Sequence, residues 1–184
     1  RGLGDVYKRQ LANNANLIVN DSVFANNKVT TSGSDGGAIY GGGGGNLYIN
    51  NTYFVGNQAL GSKSGGGAVM SNKYLVLRDS VFTGNTSAGS GGALYNYISD
   101  STKTPIAKIL NTTFINNSSN GDSGAFQAGG NGKNLVYGST FESNSAGARG
   151  GAIYNNSRAL NIYDSVFTGN KTLYNDTSAC LLYT

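Results

Sequence analysis

The chain has 184 residues, of which 38% are hydrophobic and 12% are charged, and its formal net charge is +4. It contains no histidine and one cysteine, so a His/Cys metal set and a Ser–His nucleophile pair are excluded. No apolar stretch approaches the ~20 residues of a membrane-spanning helix. Outside residues 1–10, lysines and arginines occur singly, which argues against a basic nucleic-acid-binding stripe.

The two ends differ from the rest of the chain. Residues 1–10 read RGLGDVYKRQ and residues 180–184 read CLLYT, and neither shares a feature with the repeats described below. Both resemble translated adapter read-through of the kind found in metagenomic fragments, so we expect two non-native tails around one repeat domain at 11–179. Without the first tail the charge is 10 − 8 = +2. We expect this domain to continue into further rungs of a longer parent chain.

A short phrase recurs six times: Asp, Asn or Gly, then Ser or Thr, any residue, Phe, and an Asn three residues after the Phe. The phenylalanines are Phe24, Phe54, Phe82, Phe114, Phe141 and Phe167, and the asparagines are Asn27, Asn57, Asn85, Asn117, Asn144 and Asn170. Successive steps are 30, 28, 32, 27 and 26 residues. A chemical phrase that returns at such a period predicts a solenoid with one turn per repeat.

Each part of the phrase predicts a structural role. Apolar residues seven and five positions before the Phe, as in Leu17 and Val19, indicate a half-buried strand. In the fifth repeat this pattern slips by one, with Asn134 at the first position and Leu135 displaced. The Asp/Asn/Gly–Ser/Thr pair predicts a corner. We expect the Phe to point inward into an aromatic column, and the Asn to form an amide ladder between rungs ~4.8 Å apart.

A second phrase, Gly-Gly-Ala followed by an apolar residue, lies between the first ones. It occurs at residues 36–39, 66–69, 91–94 and 150–153, with a degenerate copy at 123–126. The glycine pair predicts a tight turn with positive φ or close backbone approach. We expect the apolar residue to point inward, and by parity the Ala before it and the Tyr position after it to point outward.

These elements predict an all-β fold. Successive strands of one coil would pair in parallel with those of the next, giving a single-stranded parallel β-helix of about six rungs and a rod of ~29 Å. The general rule for parallel crossovers predicts that the coil is right-handed.

The two phrases together, G-G-A-[ILV] and F-x-x-N, resemble the repeat of the chlamydial polymorphic membrane proteins and related adhesin-like surface proteins. The resemblance covers nearly all of residues 16–170. It implies a right-handed β-helical passenger region that is exported to the cell surface or outer membrane, often as part of an autotransporter. It also implies a role in adhesion or surface display, not in catalysis.

An enzyme is the alternative, because β-helices also include polysaccharide lyases and glycoside hydrolases of the pectin-lyase-like class, which use clustered carboxylates. Asp21, Asp79 and Asp164 share the corner column but lie two and three rungs apart, so we interpret them as structural caps. The carboxylates in or near loops are Asp35, Asp100, Asp122 and Glu142. We expect no catalytic residue, no cofactor and no metal, and a purely structural spacer is a further alternative.

Outward tyrosines are the candidate binding residues: Tyr40, Tyr48, Tyr95, Tyr154 and Tyr163. They suit stacking on sugar rings or contact with another protein, although tyrosine is also favoured in strands for its own sake. We expect the partner to be a host-cell protein or a surface glycan. Nucleic acid and membrane insertion are not expected for this segment.

Overall fold

The computed structural model describes residues 10–13, 15–43, 45–72, 74–98 and 107–173, and every regular element among them is a β-strand. The strands are numbered β1 to β24 along the chain and form four sheets. Sheet A contains β1 (Gln10–Asn13), β5 (Ile39–Gly42), β9 (Val69–Ser71), β13 (Leu94–Ile98), β17 (Phe126–Gly130) and β21 (Ile153–Asn156). Sheet B contains β2 (Leu17–Asn20), β6 (Asn46–Asn50), β10 (Tyr74–Arg78), β14 (Ala107–Leu110), β18 (Lys133–Tyr137) and β22 (Ala159–Tyr163).

The other two sheets have shorter strands. Sheet C contains β3 (Val23–Ala25), β7 (Tyr53–Val55), β11 (Val81–Thr83), β15 (Thr113–Ile115), β19 (Thr140–Glu142) and β23 (Val166–Thr168). Sheet D contains β4 (Lys28–Val29), β8 (Gln58–Ala59), β12 (Thr86–Ser87), β16 (Ser118–Ser119), β20 (Ser145–Ala146) and β24 (Lys171–Thr172). One strand from each sheet, taken in the order A, B, C, D, makes one coil.

The coils stack in parallel register. Each strand pairs in parallel with the strand four positions further along the chain, so the chain visits the four sheets in turn and then returns one rung higher. Equivalent residues of successive repeats therefore lie side by side, as Leu47 does with Leu75 and Phe54 with Phe82. Six strands in each sheet correspond to five full turns between the first and the last. The predicted all-β parallel solenoid is confirmed.

Six phenylalanine rings form a continuous stack through the interior. Neighbouring ring centroids are 4.5–5.1 Å apart and the ring planes differ by 3–17°. The four central rings, Phe54, Phe82, Phe114 and Phe141, are fully buried, and the apolar residues of sheets A and B pack in the same cluster. Each aromatic pair contributes about 0.5–1.5 kcal/mol beyond its area burial.

The corner between sheets B and C is built by the first two residues of the phrase. The first residue has φ of 45–60° in all six copies, at Asp21, Asn51, Asp79, Asn111, Gly138 and Asp164. Asn, Asp and Gly are the residues that adopt this left-handed conformation most readily. The following Ser or Thr donates its hydroxyl to the carbonyl oxygen two residues earlier, at 2.6–3.0 Å. A side chain of the corner thus donates a hydrogen bond to a backbone carbonyl group of the same corner.

The corner between sheets C and D was not predicted from the sequence. Its left-handed residue lies directly before the ladder asparagine, with φ of 53–65° at Asn26, Gly56, Gly84, Asn116, Ser143 and Gly169. The signal was present, because this position holds only Asn, Gly or Ser. The turn is followed at once by the asparagine that the solenoid buries.

The asparagines form an amide ladder in which both side-chain polar atoms of the four central members have partners. Asn85 shows the pattern: its Nδ2 donates to Oδ1 of Asn117 at 2.9 Å and to the carbonyl oxygen of Phe54 at 3.0 Å. Its Oδ1 accepts from the backbone N–H and the Nδ2 of Asn57, at 2.9 and 3.0 Å. Asn57, Asn85, Asn117 and Asn144 are fully buried, so this pairing removes the cost of burying a polar side chain.

The glycine pair does two different things. Gly91, the first of its pair, has φ of +67°, and Ser123 takes this place in the degenerate copy with φ of +61°. At Gly92, the second glycine, an added Cβ would lie 2.1 Å from the carbonyl oxygen of Gly124 on the next rung. At Gly91 an added Cβ would lie 2.6 Å from the carbonyl oxygen of Leu94, so the first position combines a left-handed conformation with a close approach to its own rung. The second position is crowded by the next rung.

One expectation about side-chain direction is wrong. The alanines after the glycine pair are buried, among them Ala38 and Ala93 at 0% exposure, although parity predicted that they point outward. Ala38 lies in the bend before β5, where it and Ile39 both donate their N–H groups to the carbonyl oxygen of Ala68, so strand alternation does not extend back to it. The apolar residues after these alanines are buried as expected.

The fifth repeat does not slip. Asn134 lies beside Ala107 and Leu160 in the inward column of sheet B and is 3% exposed, while Leu135 takes the half-buried outward position. Its Nδ2 donates to Oγ of Ser157 at 2.8 Å, and its Oδ1 accepts from the N–H of Ala107 at 3.2 Å. A buried asparagine fits the leucine column because both ends of its amide are bonded.

We predict that Gly92→Ala lowers the free energy of unfolding by about 3 kcal/mol or more, because its methyl group would overlap a carbonyl oxygen of the next rung. Gly84→Ala is the control: its φ is +63° but an added Cβ meets nothing within 4 Å. We expect it to cost only about 1–2 kcal/mol, the price of a left-handed alanine. Urea titration compares the two, and equal losses would contradict the assignment.

We also predict that Asn85→Ala destabilises the chain by about 3 kcal/mol, because it removes the acceptor of two N–H groups and a donor to Phe54. Asn161→Ala, at an exposed outward position of sheet B, is the matched control and should change stability by less than about 0.5 kcal/mol. A ladder that contributes little would show similar urea midpoints for both variants.

Candidate binding surfaces

The five candidate tyrosines lie on two different faces of the solenoid. Tyr40, Tyr95 and Tyr154 belong to one outward column of sheet A, in which they alternate with Met70 and Gln127 from rung to rung. The other two, Tyr48 and Tyr163, lie on the outward side of sheet B, in different columns. The structure therefore brings three of them together and separates the other two from these.

Tyr95 is the centre of the sheet A face. Its ring lies against two glycines, because an added Cβ would be 2.4 Å from Tyr95 Cδ1 at Gly65 and 3.4 Å from Tyr95 Cε2 at Gly129. Tyr97 packs edge-to-face on it, with 6.4 Å between ring centroids. Next to it in the column, Gln127 is 7% exposed, and its Oε1 has no hydrogen-bond partner among the described residues.

A charged pair borders this face. Arg149 donates from Nε to Oδ1 of Asp122 at 2.9 Å and from Nη2 to Oδ2 at 2.8 Å, a two-point contact that raises the pKa of Arg149. The Arg149 Cζ lies 4.4 Å from the ring centroid of Tyr154, which adds a cation–π contact. The sequence analysis named Asp122 but not Arg149. The sequence did contain a signal for Arg149: it lies directly before the glycine pair, a position that holds Asp35, Gly65 and Ser90 in the earlier copies.

The environment of Tyr95 disfavours its ionised form. Partial burial is the main reason why the pKa of Tyr95 is raised above 10.0, and the charges of Tyr97, Asp35 and Asp122 raise it further. Tyr95 therefore keeps its proton, and its capacity to donate a hydrogen bond, to a higher pH than a tyrosine with a pKa of 10.0.

The outward side of sheet B is cationic and aromatic. It displays Arg78, Lys108 and Lys133 on three successive strands, together with Tyr137 and Tyr163, which are 45% and 54% exposed and lie beside each other. Sequence reasoning treated the cations as scattered, because they are 25 to 30 residues apart in the chain. Only the register of the strands brings them to one face.

The carboxylates do not converge. Asp21 and Asp79 accept from the Nδ2 of Asn51 and of Asn111 on the next rung, at 2.7 and 3.2 Å. Asp122 is paired with Arg149, and Glu142 is exposed on sheet C. Asp100 lies outside the described residues. Among the residues that the structure describes, no group of three or more His, Cys, Asp or Glu side chains forms a possible metal site.

Two segments of the chain match the family model of the Chlamydia polymorphic membrane protein (Chlamydia_PMP) repeat, residues 79–97 and 138–156. Each begins at the corner before sheet C and ends in a sheet A strand. No curated protein and no solved structure matches the chain. Within the described part of the chain, no helix has the length and hydropathy needed to cross a membrane.

We predict that Tyr95→Phe changes the alkaline behaviour of the chain. Because the folded-state pKa of Tyr95 exceeds its unfolded value, Tyr95 ionises first in the unfolded chain, and stability falls as pH rises above 10.0 towards the folded pKa. Tyr95→Phe should remove this loss of stability. In a titration followed by tyrosinate absorbance, it should also remove the part of the absorbance change that occurs at the highest pH. An equal loss of stability above pH 10.0 in the unaltered chain and in Tyr95→Phe would contradict this prediction.

Proposed function

We propose that this chain, with its two segments of Chlamydia polymorphic membrane protein repeat in a parallel β-solenoid, is a non-catalytic passenger region of an exported surface protein. In this proposal it acts as an adhesin-like stalk and as a binding surface for a host-cell protein or glycan. The observation that carries the proposal is the separation of the molecule into an interior with one fixed repeat chemistry and outward faces with varied chemistry.

The interior supports the role of a stalk. The phenylalanine stack and the asparagine ladder run through all six repeats without interruption. Bending the rod would therefore separate the rings and break hydrogen bonds between the side-chain amides. Five steps of ~4.8 Å give an axial rise of about 24 Å over these repeats. Further rungs of a parent chain would extend the rod in the same way.

The outward faces support the role of a binding surface. Strand residues that point outward are not needed for the stack, and they include exposed tyrosines on two sheets: Tyr97 on sheet A, and Tyr137 and Tyr163 on sheet B. Tyrosine offers a large contact area and a polar hydroxyl, which is why it is enriched at interfaces. The family description, a polymorphic membrane protein, supports display at the outer membrane or cell surface. Export by an autotransporter route is part of the proposal.

The experiment couples the purified chain to beads and measures their attachment to cultured epithelial cells and to mucin-coated glass. We expect attachment above that of uncoated beads, and its loss when Tyr40, Tyr48, Tyr95, Tyr154 and Tyr163 are all changed to Ser. Single-site alanine scans place most binding energy in a few such aromatic residues, each worth about 1–4 kcal/mol.

Tyr53→Ser is the control, since Tyr53 is 49% exposed but lies on sheet C. It should leave attachment unchanged. Absence of attachment by the unaltered chain on both surfaces, or full attachment by the five-fold variant, would refute the binding role and leave a spacer.

A further inference from the structure

We propose that the outward face of sheet B binds a linear anionic polysaccharide, through a line of cations formed by Arg78, Lys108, Lys133 and Arg158. We call this line the cation diagonal. The inference rests on the proposed surface role and names the ligand class and the face that recognises it.

The cation diagonal follows from the register of sheet B. Arg78 lies beside Leu110, so Lys108 is one rung higher and two residues earlier along the strand. Lys108 lies beside Leu135, so Lys133 repeats the same offset on the next rung. A rung of ~4.8 Å and two residues of ~3.3 Å place successive Cα atoms about 8 Å apart. Arg158 lies one rung further on, directly before Ala159, which pairs with Lys133.

Within the part of the chain that the structure describes, none of these four cations forms an ion pair with an acidic side chain. The six strands of sheet B contain no Asp or Glu, and among the described residues the ion pair within 4.0 Å is that of Arg149 with Asp122, on another face. Arg78, Lys133 and Arg158 are exposed and Lys108 is half-buried. The acidic corner column, with Asp79 and Asp164, lies at the edge of sheet B next to Arg78, and the diagonal runs away from it. An anion is therefore the missing partner.

Aromatic rings flank the cation diagonal on both sides. Tyr48 and Tyr74 form an edge-to-face pair at 6.4 Å on the earlier rungs, and the exposed Tyr137 and Tyr163 lie side by side on the later ones. Asn161 is exposed between them and the end of the diagonal. Rings and amides beside cations suit a ligand with sugar rings, hydroxyl groups and anionic groups.

The low density of charge favours a polysaccharide over a nucleic acid. Four cations about 8 Å apart form a sparse line, whereas a nucleic-acid site is typically a patch or stripe of clustered Lys and Arg. The repeat does not explain the cations either, since all four lie outside residues 79–97 and 138–156. They lie on the sheet that the matched segments leave out.

The experiment measures binding of the folded chain to a labelled heparin oligosaccharide, to neutral dextran and to a single-stranded DNA oligonucleotide. We expect heparin to bind and dextran not to bind. Affinity for heparin should fall as salt is raised, because the Debye length is only about 8 Å at 0.15 M ionic strength. Tighter binding of DNA than of heparin, or binding of dextran equal to that of heparin, would overturn the proposal.

A matched pair of variants locates the site. Changing Arg78, Lys108 and Lys133 to Gln should weaken heparin binding about tenfold, the sum of three exposed charge contacts. Changing Lys28, Lys63 and Lys171 to Gln removes the same charge from sheet D and a neighbouring loop, and should weaken binding less than about twofold. Thermal melting checks that both variants fold.

Equal weakening by the two variants would show binding by net charge and overturn the assignment to sheet B. The bead assay separates this inference from the proposed function. Cell attachment without heparin binding would refute the polysaccharide site at the cation diagonal and leave the adhesive role standing. Heparin binding without cell attachment would refute the adhesive role and leave the polysaccharide site standing.

Discussion

The constraint on which the structure depends is that each inward side chain must be able to stack on its equivalent ~4.8 Å away. Phenylalanine meets this condition through ring stacking, and asparagine meets it because its amide both donates and accepts. A carboxylate in the ladder would set acceptor against acceptor. The corner column shows the alternative, since Asp21 and Asp79 are each followed one rung later by an asparagine that donates to them. A column of identical asparagines and a column in which Asp and Asn alternate both allow each side chain to bond to the one on the next rung.

That requirement explains what the sequence reveals and what it hides. Inward residues recur because they must stack, so the phenylalanines, the asparagines and the apolar pair of sheet B can be read directly. Direction at a bend cannot be read by parity, which is why Ala38 was wrongly expected to point outward. The role of Asn134 was hidden for another reason: it breaks the apolar pattern but keeps the register through bonds to Ala107 and Ser157, which are distant in the chain.

Outward residues are free of the stacking requirement, and this freedom separates stability from recognition. The segments that match the repeat model supply the strands of sheets C and D and the first part of sheet A, with the corners and the glycine pair that shape the coil. Sheet B needs only two inward apolar residues per strand to close the core. Its outward positions can therefore change without strain, and they are the natural place for chemistry specific to one chain.

The cation diagonal can be found in the sequence once the phenylalanines serve as reference points. Arg78 precedes Phe82 by four residues, Lys108 precedes Phe114 by six, and Lys133 precedes Phe141 by eight. Steps of two keep a side chain on the same side of a strand, so all three point away from the core while moving across the sheet. Arg158, nine residues before Phe167, breaks the step because it lies in the bend before β22, where alternation no longer applies. The stacking that holds the interior together thus also supplies the frame in which distant surface charges become neighbours.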